Sequence, residues 1–242
     1  MASPRVLVGI VTYDGHRYAL ERLLLSLKAM TYAAFDVLFI DNSEHEEYSA
    51  HLKNLGFEVL RTSSEGHRVE RVILGRELLR TAALERGYDY LFFIDSDVIC
   101  LADTLERLLQ WKKDVVSGMY LLVKRREGKL HVIPSVFVAE NGAMRTTTVY
   151  EMREARLIPI AAAGLGCCLI SAAVLKRLHF RNIGQSTSGG EDFSFFHDVI
   201  ALGVTPYVDT AVKCFHMCVP HGDERSELYK WENHELGAKY GA

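Results

Sequence analysis

Asp95-Ser96-Asp97 places two carboxylates two residues apart, directly after the apolar run Tyr88 to Ile94 (YDYLFFI). Carboxylates so spaced at a strand end can converge on one hard divalent cation. Such a cation can bridge the phosphates of a nucleotide and neutralise charge on a departing diphosphate. The structural alternative is a polar loop whose aspartates cap the next helix. A second acidic pair, Glu191-Asp192, follows Gly190 at the start of a helical segment. Backbone N–H groups and the helix dipole favour an ionised carboxylate there, which is the form a general base must have. Favourable first-turn charge accounts for the same pair without chemistry. A third group gathers near the C-terminus. Cys214, His216 and Cys218 fall on one strand face by alternation, and His221 follows. These four are the ligand types of a zinc site. Three ligands at i, i+2 and i+4 nevertheless spread over about 13 Å of strand, too far for one ion without a bulge. Core thiols beside one functional histidine are the competing reading.

The elements that must hold these residues follow from periodicity. Arg5 to Thr12 and Asp36 to Ile40 are short, β-branched and apolar, as buried strands are. Leu20, Leu23, Leu24, Leu27 and Met30 recur at helical spacing, which predicts a helix over Arg17 to Met30. Glu58 to Arg61 is a third strand, Val69 to Arg86 a long helix stopped by Gly87, and Tyr88 to Ile94 a fourth strand. Asp103 then caps a helix running toward Lys113. Alternating strand and helix predicts a mostly parallel sheet, and Thr12, Asp41 and Asp95 gather at strand ends, where such sheets bind ligands. Beyond residue 114 the pattern changes. Val115 to Val123, Val132 to Ala139 and Thr146 to Tyr150 look like strands joined by turns at Glu127-Gly128 and Asn141-Gly142. Cys167 to Ile170 is a strand and Ala172 to Leu178 a short helix. Gly189-Gly190 opens a helix from Glu191 to Leu202, and short strands follow at Tyr207-Val208 and Ala211 to His216. The expectation is one domain over 1–242, with an alternating first half (1–113), a strand-rich second half (114–218) and a tail (219–242). The tail holds Tyr229, Trp231 and Tyr240 and reads most simply as a surface helix.

Composition narrows the function classes. Among 242 residues, 28 basic and 31 acidic side chains leave a net charge of -3, which gives no bulk attraction to nucleic acid or anionic membrane. No stretch reaches the roughly 18 apolar residues of a spanning helix, and the N-terminus lacks a signal-peptide pattern. The expectation is a cytoplasmic protein, with a position at a membrane surface also compatible. Five cysteines, an odd number with two adjacent, do not form a secreted disulfide framework.

The segments VLVGIVTYDG, DVLFIDNS, GRELLRTAALERGYDYLFFIDSDV, AAAGLGCCLISAAVL and GGEDFSFFHDVIALGVTPYVDTAVKCFH, in that order, resemble the GT-A nucleotide-sugar-dependent glycosyltransferases, most nearly the inverting family 2. The resemblance runs from Val6 to His216. It implies a GT-A fold: a mostly parallel, Rossmann-like α/β sheet with a small antiparallel sheet appended. It implies a nucleotide and donor set of Thr12, Tyr13, Asp41, Asn42, Arg76, Asp95, Ser96, Gly164 and Gly166. Asp192 matches the family's catalytic base, with Glu191 beside it. Asp95, Asp97 and His216 match the metal site, with Mn²⁺ or Mg²⁺ as the cation. The donor would be a UDP- or GDP-sugar and the acceptor a glycan, lipid-linked or protein hydroxyl. A retaining transferase and a non-catalytic nucleotide-sugar binder are the alternatives. Two positions depart from the pattern: Glu77 stands where many relatives carry Asn, and Phe195-Phe196-His197 where an Arg is common. The Gly-rich basic loop of sugar nucleotidyltransferases is absent, which argues against sugar activation.

Overall fold

A computed structural model of the chain describes residues 3–183 and 190–235. Gly189 and Tyr240 lie outside the described residues. The first half alternates β1 (Val6–Thr12), α1 (Arg17–Ala29), β2 (Phe35–Asp41), α2 (Glu47–Asn54), β3 (Glu58–Arg61), α3 (Arg68–Glu85) and β4 (Tyr90–Ile94). These four strands pair in parallel in the order β3-β2-β1-β4. β1 therefore has neighbours reached by crossovers in opposite directions, and ligands bind α/β sheets beyond the strand ends at such a point.

The chain continues through β5 (Val98–Ile99), α4 (Thr104–Gln110), β6 (Val115–Met119), β7 (Leu121–Arg126), β8 (Lys129–Pro134), β9 (Val136–Glu140), β10 (Ala143–Thr146), β11 (Leu157–Pro159), β12 (Ala162–Ala163) and β13 (Cys167–Ser171). It ends with α5 (Ala172–Leu175), α6 (Glu191–Ala201), β14 (Tyr207–Lys213), β15 (Phe215–His216), a 3₁₀ turn (Glu224–Tyr229) and α7 (Glu232–Glu235). β13 inserts antiparallel between β4 and β6, and β14 and β11 complete an eight-stranded sheet. Smaller antiparallel sheets, β10-β9-β12, β7-β8 and β5-β15, stand beside it. This is the mixed α/β arrangement of the GT-A fold. Both faces of the large sheet are dry. Leu79, Ala83, Val174 and Phe195 cover one, and Leu20, Leu23, Leu52 and Leu105 the other. Near-continuous apolar strands such as YLFFI are what a sheet buried on both faces requires.

Several boundaries differ from expectation. The run predicted as one strand over 115–123 breaks at Tyr120, and that over 132–139 breaks at Ser135. The Tyr120 N–H donates to Ser135 Oγ (3.1 Å) and the Ser135 N–H to the Tyr120 carbonyl (2.8 Å), and both chains turn there. The strand expected over 146–150 ends at Thr146, because Thr148 and Glu151 form a side-chain-to-backbone turn instead. Asp103 precedes α4 without a capping bond; its carboxylate reaches Arg107 (3.5 Å). The tail is not a simple surface helix. Trp231 is buried, and its indole N–H donates to the Cys214 carbonyl (3.0 Å). No helix among the described residues is long and apolar enough to cross a membrane.

Candidate active site

A cleft of about 440 Å³ opens beyond the C-terminal ends of β1, β2 and β4. From β1 come Thr12 and Tyr13, from β2 Asn42, and from β4 Asp95, Ser96 and Asp97. The Asn42 N–H donates to the Thr12 carbonyl (3.0 Å), which carries the β1-β2 pairing to the cleft's edge. Helix α3 supplies the opposite wall with Arg68, Arg71 and Arg76. It lies close on β1 because of Gly75: a Cβ there would stand 2.8 Å from Val11 Cγ2. The first turn of α6 brings Glu191 and Asp192, and β15 brings His216.

Arg76 ties the two acidic motifs together. Its buried guanidinium stands over the Phe93 ring and contacts Asp95 Oδ1 (3.2 Å), Glu191 Oε1 (3.2 Å) and Asp192 Oδ1 (3.7 Å). Burial disfavours its charge, but the three carboxylates outweigh burial and hold it cationic. Asp192 behaves differently from the helix-dipole expectation. Burial, then repulsion from Glu191, drives its carboxyl well above the ordinary range despite Arg76. Its Oδ1 is buried and makes no hydrogen bond among the described residues. That oxygen lies beside the Arg76 guanidinium (3.7 Å), while the residue as a whole lines the cleft.

The two aspartates of Asp95-Ser96-Asp97 have separate roles. Burial raises Asp95, which spends one oxygen on Arg76. Asp97 is also pushed up by burial, but a hydrogen bond from His216 and the charges of His216 and His16 hold it below the usual range. β5 and β15 pair antiparallel with His216 opposite Val98, and the Met217 N–H donates to the Asp97 carbonyl (2.7 Å). That pairing brings His216 Nε2 to 3.5 Å from Asp97 Oδ2. His216 Nδ1 lies 3.0 Å from the Leu121 carbonyl, which can only accept. Nδ1 therefore carries a proton and Nε2 faces Asp97, the orientation seen in metal-binding imidazoles. Burial lowers the His216 pKa, but Asp97 and Cys218 together lift it to about 10. Ligand atoms of Asp97, His216 and Cys218 lie within 4.8 Å of one another, so this donor set fits a divalent cation. Asp95 stands outside that trio.

The zinc alternative is corrected by the same pairing. The chain leaves β14 at Lys213 and joins β5 at Phe215, so strand alternation fails at Cys214. Cys214 turns into the core beside Cys100 (Sγ–Sγ 3.7 Å) and Cys167, apart from His216, while His221 lies in a separate groove. Three further implied residues stand behind the cleft wall. Asp41 is fully buried, its Oδ1 accepting from the Ser43 N–H (3.0 Å) and hydroxyl (2.5 Å). Gly164 and Gly166 leave room for Tyr120 and Asp95; a Cβ at Gly166 would stand 2.6 Å from Asp95 Oδ2. Residues the sequence reading passed over include His16, whose Nδ1 meets Ser96 Oγ (2.7 Å) and whose Nε2 is 3.8 Å from Asp97. Its signal was the abrupt polar break after β1. Arg68, just before the predicted helix, and Arg71, in its first turn, carried no pattern that set them apart from surface arginines.

Comparison with known proteins adds to this geometry. The family model described as Glycosyl transferase family 2 matches residues 7–134. Among curated proteins, none matches the sequence. A solved structure of GalNAc-T7 with UDP, GalNAc and Mn²⁺ superposes with a TM-score of 0.65 at 15% identity, over 90% of this chain and 45% of that one. A197 from STIV superposes with a TM-score of 0.50 at 21% identity, over 89% of this chain and 86% of that one. At such identities the structural likeness speaks for the fold.

Proposed function

We propose, on the premise that this chain belongs to glycosyl transferase family 2, that it moves a sugar from a nucleoside diphosphate to an acceptor hydroxyl by one inverting displacement. The observation that carries the reading is the Asp192 carboxyl, held beside Arg76 (3.7 Å) in the same cleft as Asp97 and His216. The GalNAc-T7 structure, which holds UDP and Mn²⁺, makes UDP the first nucleotide to test.

Thr12, Tyr13 and Asn42 bind the nucleoside at the β1-β2 edge, and Arg68 and Arg71 attract the diphosphate. Asp97 and His216 are the residues that would hold a divalent cation, Mn²⁺ or Mg²⁺, with Cys218 adjacent. A cation held there would supply positive charge to offset that of a departing diphosphate. Asp192 takes the proton of the acceptor hydroxyl as that oxygen attacks the anomeric carbon. Burial and the charge of Glu191 beside it make it a stronger base once ionised. Arg76 holds Asp95, Glu191 and Asp192 in place, so that donor and base keep a fixed relation.

A thermal-shift panel tests this reading: UDP, GDP, CDP and dTDP, each with Mn²⁺, Mg²⁺ or EDTA, on the natural chain and on Asp97→Ala. A ligand at 100 times its dissociation constant adds about 2.7 kcal/mol. The expected result is a metal-dependent rise with UDP that Asp97→Ala abolishes. No rise with any nucleotide would overturn the donor site.

A further inference from the structure

β7 and β8 form a hairpin that projects from the rim of the cleft. Its two-residue turn, Glu127-Gly128, has positive φ at both positions (50° and 77°), as a right-handed twisted hairpin requires. In this register Leu122 opposes Ile133, Lys124 opposes His131, and Arg126 opposes Lys129. Opposed residues share a face, and alternation puts all six on the same one. Leu122 lines the cleft. The face that begins as cleft wall at Leu122 therefore continues outward as Lys124, His131, Arg126 and Lys129. Arg126 stands about 13 Å beyond Leu122 along the strand.

These four side chains are exposed. Lys124, Arg126 and Lys129 have no carboxylate within ion-pair distance among the described residues. Like charges directly opposed across a hairpin destabilise it, and the chain carries this strip although its net charge is -3. A partner of opposite charge would relieve the repulsion.

We propose that this strip is the acceptor track and that the acceptor is an anionic glycan, one bearing carboxylate or phosphate groups along its chain. The inference rests on the glycosyltransferase reading and names its second substrate by class. A linear row of cations leading into the cleft matches a linear polyanion whose end reaches Asp192. A membrane surface fits less well. Interfacial binding needs exposed apolar side chains on the same side as the cations, whereas Leu122 and Ile133 on that face are part-buried at the cleft end and the exposed Leu130 lies opposite Arg125 on the other face.

The test uses the full chain and a pair of labelled probes with one backbone: a galacturonic acid hexamer and its fully methyl-esterified form. Anisotropy titrations compare the natural chain with the quadruple variant K124Q/R126Q/K129Q/H131Q. The natural chain should bind the acid form tighter than the ester, with an affinity that falls as salt rises. The variant should lose about tenfold of that affinity, as expected for several exposed ion pairs together. Its melting temperature and its UDP–Mn²⁺ thermal shift should stay those of the natural chain. Equal binding of acid and ester, or equal binding by the variant, overturns the proposal. So does binding confined to phosphatidylglycerol-containing vesicles, which would make the strip a membrane contact. Loss of the UDP–Mn²⁺ shift in the natural chain marks failure of the donor reading instead, because that readout does not involve the hairpin.

Discussion

Two trios of metal-capable side chains stand at opposite ends of the β5-β15 pairing. Asp97, His216 and Cys218 form one; Cys100, Cys167 and Cys214 form the other. In each, the ligand atoms lie within 4.8 Å of one another, and Asp97 and Cys100, like Cys214 and His216, are near neighbours in sequence. Their surroundings differ. The first trio borders an open cleft, has an imidazole oriented by a backbone carbonyl, and sits beside a guanidinium and further carboxylates. The second is buried, and its thiols are held well above the ordinary range, Cys100 by its hydrogen bond with Cys167 and Cys214 by its hydrogen bond with Cys100, with burial adding to both. Proximity is equal in the two trios, whereas access and electrostatic preparation are not. Those two properties separate a reactive centre from core packing.

The sharpest test of that contrast is catalytic. Asp192→Asn should lower the transfer rate by about 10²–10⁴, the usual worth of a general base, while leaving the UDP–Mn²⁺ thermal shift intact. Cys214→Ala should leave both nearly unchanged. A Cys214 variant as inactive as the Asp192 variant would break the comparison.

Next in size is Arg76→Met. Removing a buried guanidinium leaves three carboxylates facing one another, at a cost of about 3–5 kcal/mol in denaturant unfolding. Arg76→Met combined with Glu191→Gln should recover part of that loss, since one repelling charge goes with it. No recovery would mean that Arg76 acts mainly by packing on Phe93.

A smaller effect concerns pH. Asp192 must be ionised to accept a proton, and its folded pKa is raised. Activity is therefore present above that pKa and lost as pH falls through it. The acid limb of kcat/KM should lie above the ordinary carboxylate range. Burial is the larger cause and Glu191 the next, so Glu191→Gln should move the limb to lower pH without restoring the ordinary value. A limb already at the ordinary position in the natural chain would contradict the buried setting of the base.

The same contrast explains what the sequence could convey. Strands buried on both faces declare themselves as apolar runs, so β1, β2, β4 and β13 were legible, and with them the positions of Thr12 and Asp95. Helix α2 was not: its buried anchors are Tyr48, Ser49 and Leu52, too few for a period among polar neighbours. The breaks at Tyr120 and Ser135 arise from bonds between segments distant in sequence. Candidate chemistry was readable where one segment carried it, as in Asp95-Ser96-Asp97 and Glu191-Asp192. The joining of Arg76 to three acids, and the turning of Cys214 away from His216, depend on tertiary pairing that no local pattern encodes.

The smallest effect separates the two trios at their closest point. Cys218 is the thiol that shares space with Asp97 and His216, and a thiol adds a soft donor to an otherwise hard and borderline set. Cys218→Ala should raise the Mn²⁺ concentration needed for half of the UDP thermal shift by about tenfold, the low end of what loss of a supporting group around a metal ligand costs. It should raise the Mg²⁺ requirement less, because Mg²⁺ gains little from sulfur. Cys100→Ala and Cys214→Ala should lower the melting temperature, through the cavity each leaves, without moving either metal requirement. If Cys214→Ala shifts the Mn²⁺ requirement as far as Cys218→Ala does, the β5-β15 pairing transmits strain between the trios, and the dry one takes part in shaping the open one.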